Sequence, residues 1–210
     1  TFVSAETFYL VDYEGSSCGQ PDFISGEFNH DDWEWDEFDP RAENTIINRE
    51  YKFSILDRSV KSLDIDFLGF PHNIVSRRFL ELCDSLNVKY RSVPVKLQFS
   101  EGPMLSSNFF IFIPLDAVDL LDQSGSEYSL ESDLNSGEPV FNRYHPNVPV
   151  YSWIKSFSTK NNIQEDFFIC LELMKWVCSE KFKVLAESKL VGLNFTPINS
   201  EFSFNPWGEM

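Results

Sequence analysis

The chain has 210 residues, 42% of them apolar and 16% aromatic, enough for a sizeable core in one large domain spanning 1–210. Its net charge of -16 repels a phosphate backbone, which excludes nucleic acid as the expected ligand. The longest apolar run, Phe109-Phe110-Ile111-Phe112-Ile113, falls far below the roughly 20 residues of a membrane-spanning helix, so no membrane association is expected.

In chain order, strand-forming runs lie at 7–13, 46–56, 88–99, 108–113, 140–144, 150–157, 166–173 and 191–196. Helical periodicity is clear only near 75–87 and 178–190. Turn residues mark loops at 15–19, 101–103, 124–126 and 145–149. Because the strands are mostly consecutive, the expected class is α+β, with mostly antiparallel strands and two pseudo-symmetry-related helices packed on the sheet.

The two helices belong to a repeat at an offset of 103. Ser76, Phe79, Leu82, Ser85, Val88 and Pro94 match Ser179, Phe182, Leu185, Ser188, Val191 and Pro197. Ser76 and Ser179 stand where an N-cap hydroxyl accepts from a free first-turn amide. Phe79, Leu82, Cys83 and Leu86, and likewise Phe182, Leu185 and Ala186, form an apolar stripe. A strand closed by proline should follow each helix, giving repeat halves of about 62–100 and 165–198.

Charge is concentrated in two blocks. Residues 1–43 carry twelve acids against one base, and residues 115–138 carry seven acids and no base. The intervening 44–114 carry seven acids and nine bases, and 139–210 are balanced. Concentrated charge costs self-repulsion and produces a directed field, which bulk solubility does not require. Within 27–39, seven acids alternate with four aromatics. If 32–36 is extended, Asp32, Glu34 and Asp36 share one face and Trp33 and Trp35 the other. The residues expected to meet a basic protein partner are Asp31, Asp32, Trp33, Glu34, Trp35, Asp36, Glu37 and Asp39, with indole anchors and carboxylate steering. A solvated acidic loop pinned to the core by its tryptophans is an equally weighted reading. The second block reads as a serine-rich surface loop flanking the same site.

Catalytic motifs are not found. His30, His72 and His145 are far apart in sequence, and Cys18, Cys83, Cys170 and Cys178 form no CxxC pair, so no metal, cofactor or enzyme activity is expected. The acid-rich segment lacks the glycine and spaced bidentate glutamate of a calcium loop. Cys178 precedes the second helix, but its repeat mate Val75 marks the position as simply apolar. A reduced, cytoplasmic protein fits the cysteines and the absence of a signal-like N-terminus; the missing initiator Met leaves room for residues before Thr1.

One resemblance covers about residues 62–198. The stretch Phe167-Phe168-Ile169-Cys170-Leu171-Glu172-Leu173-Met174-Lys175-Trp176-Val177-Cys178-Ser179-Glu180-Lys181-Phe182, running on to Gly192-Leu193-Asn194-Phe195-Thr196-Pro197, resembles the ending of bacterial polymorphic-toxin immunity proteins. Asp66-Phe67-Leu68-Gly69-Phe70-Pro71, and Ala117-Val118-Asp119 followed by Ser126-Glu127, are similar to the same group. The resemblance implies a protein that binds and neutralises a cognate toxin domain. A nuclease would suit the acidic blocks best, since a site built for phosphate is cationic. The alternative from another class is an acidic-cleft hydrolase or carbohydrate-binding module.

Overall fold

Both predicted helices begin at their serine caps. In a computed structural model, which describes residues 6–208, Ser76 Oγ accepts from the Phe79 amide at 3.2 Å and Ser179 Oγ from the Phe182 amide at 3.1 Å. The elements in chain order are β1 (Phe8–Tyr13), β2 (Gly26–Phe28), β3 (Tyr51–Ile55), β4 (Phe67–Gly69), β5 (Ile74–Ser76), α1 (Arg77–Ser85) and β6 (Tyr90–Gln98). They continue with β7 (Met104–Leu105), β8 (Phe109–Pro114), β9 (Ala117–Val118), β10 (Glu127–Leu130), β11 (Tyr151–Ser156), β12 (Phe167–Cys170), β13 (Lys175–Ser179), α2 (Glu180–Lys189) and β14 (Leu193–Ile198). Neither helix is long and apolar enough to cross a membrane.

The expected α+β class, two helices packed on an antiparallel sheet, is overturned. Strand residues make up 35% of the structure and helical residues 14%, a β-rich fold with few helices and curled mixed sheets. One sheet runs β14-β1-β13-β12-β9, a second runs β2-β3-β6-β8-β5-β4 with β7 against β6, and β10 pairs with β11 alone. Parallel pairing occurs twice, β3 with β6 and β9 with β12. Helical periodicity outweighs its share of the chain in the sequence because strands of two to five residues leave almost no periodic trace.

The repeat is longer than the offset of 103 reveals, because each helix is preceded by a hairpin with the same local chemistry. Asp66 and Asp166 open the two hairpins; each carboxylate accepts from the cap serine hydroxyl at 2.6 Å. The Ser76 and Ser179 amides return to the Asp66 and Asp166 carbonyls at 2.9 and 3.0 Å. Phe67 pairs with Val75, and Phe167 with Cys178. The hairpin turns also correspond. The Asn73 amide donates to Gly69 O and the Met174 amide to Cys170 O, and both residues hold left-handed φ, 56° and 50°. The second hairpin is three residues longer, which hides this part of the repeat from a single fixed offset.

The prolines do not end their strands. β6 leaves its partner β8 at Pro94 and takes up β3 at Val95, so the missing N–H falls where the ladder changes hands. Pro197 lies on β14, an edge strand that among the described residues pairs with β1 alone. The predicted strand at 140–144 is instead an irregular segment with one isolated bridge, Phe141 to Pro149. The second acidic block is no simple loop either: it supplies β9, a short turn and β10.

Packing joins the two halves through rings. Phe79, fully buried, stands 5.6 Å from Phe67 in its own half and 5.7 and 5.8 Å from Phe167 and Phe182 in the other. Phe112 and Trp176 complete the cluster. Phe79→Ala is expected to lower the unfolding free energy by about 3–5 kcal/mol, and Ser76→Ala by about 1–2 kcal/mol through the lost cap. Urea midpoints check both, and equal losses from the two substitutions would contradict the shared ring core.

Candidate functional site

The acidic segment is not extended, and the alternation expected for its two faces fails. Trp33 and Trp35 stack on each other at 4.8 Å and 21° instead of pointing apart. Trp33 packs edge-on to Phe28 at 4.7 Å, Trp35 lies 5.4 Å from Tyr51, and Trp35 is only 6% exposed. The indoles therefore anchor the segment to the protein's own core, and Trp35 is not free to anchor a partner.

Glu34 causes the curl. Its carboxylate accepts from the Asn48 and Arg49 amides at 3.0 and 3.1 Å and from the Tyr51 hydroxyl at 3.1 Å. Against the desolvation that would raise its pKa, these bonds hold it below the usual carboxylate range. Arg49 also reaches Asp32 at 3.0 Å. Asp39 is occupied by Arg41, whose side chain holds it low. Asp36 accepts from the Tyr144 hydroxyl, so the irregular segment after the second acidic block touches the first. Asp31, Asp32 and Asp36 remain exposed.

Glu37 turns the other way, into a pocket of about 200 Å³. The walls come from four segments: Val11 and Asp12 of β1, Glu37 and Phe38 of the acidic segment, Phe70 and Asn73 of the first hairpin turn, and Met174, Lys175 and Trp176 of the second. Both left-handed turn residues are among them. Asn73 donates its side-chain amide to Glu37, and Met174 Sδ accepts from Asn142 Nδ2 at 3.4 Å. Phe70 stands at the mouth, 83% exposed.

Burial pushes the Glu37 carboxyl up, with Asp36 adding to the rise and the Asn73 bond opposing it. Asp12 is likewise raised by the protein around it, with Lys175 pulling the other way. Asp12, Phe70, Lys175 and Trp176 were not among the residues expected from the sequence to meet a partner. For the last three the signal was the recurrence of Asp-Phe at 66–67 and 166–167 ahead of each serine-led helix, which marks two equivalent hairpins.

Glu172 fixes the second turn from within. Only 4% exposed, it accepts from the Leu121 and Leu120 amides at 2.8 and 3.2 Å and from the Cys170 thiol. Burial, together with the neighbouring Asp119, pushes it up to about 7, while Lys160 stabilises the Asp119 carboxylate at 2.7 Å. Among the described residues, no group of three or more ligating side chains is placed to hold a metal ion. The chain matches no protein-family model and no curated protein.

A group whose folded pKa lies above its unfolded value of 4.5 keeps its proton longer in the folded state, so stability falls as pH rises through about 7. Glu172→Gln retains the shape without this proton. Its stability relative to the wild type is expected to increase between about pH 5 and about pH 8 and then level off, as read from urea midpoints across that range. A pH-independent difference would remove Glu172 as the source.

Proposed function

We propose that this protein is an immunity protein of the cytoplasm, binding and neutralising a cognate, basic toxin domain one to one. The observation that carries the reading is a preorganised anionic face. The acidic segment is pinned by buried Trp35, by half-buried Trp33 stacked on it and by Glu34, with Asp31, Asp32 and Asp36 left exposed. A fixed patch of one sign attracts a cationic partner and orients it without an ordering cost at the moment of binding. The resemblance of residues 62–198 to polymorphic-toxin immunity proteins supports the same conclusion.

A second reading, a carbohydrate-binding or hydrolytic cleft, draws on Asp12 and Glu37 beside Trp176 and Phe38. At about 200 Å³ the pocket lies under the about 300–1,000 Å³ typical of small-molecule sites, which favours a protein partner.

Growth rescue on co-expression with the toxin domain encoded beside this chain tests the proposal; no rescue would refute it. Replacing Asp31, Asp32 and Asp36 with Asn is expected to slow association with that domain about tenfold at low salt and to flatten its salt dependence, with little change in dissociation. Stopped-flow kinetics read both. An unchanged association rate would take these carboxylates out of the interface.

A further inference from the structure

We infer that the pocket between the two hairpin turns receives an arginine side chain of the partner protein, an assignment that rests on the immunity reading and specifies its contact. Charge and wall chemistry point to this occupant. Asp12 and Glu37 line the pocket, and neither is in an ion pair among the described residues. Lys175 is the cation on the same rim, and its ammonium lies over the Phe204 ring at 5.8 Å. Half-buried Glu37, bonded to Asn73, and Asp12, exposed on the rim near Lys175, set two carboxyls against one ammonium, the complement of a further cation brought from outside.

Three rings, Phe38, Phe70 and Trp176, share the rest of the wall with Val11, Asn73 and Met174. A guanidinium is planar, stacks on ring faces and is more weakly hydrated than an ammonium, so it enters such a site at lower cost than lysine. Its five donors are spread around the plane and can serve carboxylates on separate walls. The volume of about 200 Å³ suits one side chain rather than a sugar chain or a folded element. Exposed Phe70 at the mouth supplies apolar area that a docked partner would cover. The pocket borders the acidic segment through Glu37 and Phe38, so the arginine arrives within the field that steers the partner.

The test is a titration of the 15N-labelled full chain with N-acetyl-arginine amide, against the neutral isostere N-acetyl-citrulline amide. Saturating shifts of the Trp176 indole N–H and the Asn73 side-chain amide are expected with the arginine probe alone. Affinity should fall about tenfold in Glu37→Gln and again in Asp12→Asn, both of which keep the side-chain shape. Equal response to the two probes, or an affinity unchanged in both folded variants, would overturn the assignment. Co-expression with the neighbouring toxin separates the two readings. Full rescue by the Asp12→Asn, Glu37→Gln double variant would discard the pocket and leave immunity standing. Failure of rescue by the wild type would discard immunity, while the titration still reports whether the site takes a guanidinium.

Discussion

The structure depends on the interleaving of phenylalanine rings from its two related halves. Phe79 touches Phe67 from its own half and Phe167 and Phe182 from the other, so neither hairpin-helix unit buries its apolar face alone. Asp66 adds direction to that non-directional contact. Its carboxylate takes the Ser76 hydroxyl of the first half and the Val191 amide that follows the second helix, while its own amide donates to Val191 O. Arg78 closes the same joint by donating to the Lys189 carbonyl. Hydrophobic burial sets how strongly the halves adhere, and the buried carboxylate sets the register in which they do so.

That register is what creates the pocket. Each half ends its hairpin in a turn with a left-handed residue, Asn73 or Met174, and joining the halves brings these turns onto one cavity. The acidic segment supplies the remaining wall. Glu37 faces inward, where burial raises its pKa, while Asp31, Asp32 and Asp36 face solvent, so neighbouring carboxylates on one short segment serve different environments.

Much of the scaffold was legible in the sequence. The serine caps, both apolar stripes and the strands now seen as β1, β3, β6, β8, β11 and β14 all came from local pattern, because cap geometry and side-chain alternation act over a few residues. What escaped depends on distance along the chain. The curl of the acidic segment is imposed by Glu34 bonding fourteen and fifteen residues away, to Asn48 and Arg49, which no local alternation anticipates. The short strands β4, β5 and β9 carry too few residues to show a period, and the parallel pairings need partners far off in sequence. The pocket is assembled from four separate segments, so its members share no motif.

The stacked pair Trp33 and Trp35 divides labour within one stretch of chain. Adhesion resides in indole rings turned toward Phe28 and Tyr51, and charge resides in carboxylates turned outward. Substitution at Asp31 or Asp32 can therefore redraw the electrostatic signature of the surface while the segment stays seated. The body that presents the signature need not be rebuilt for the signature to change.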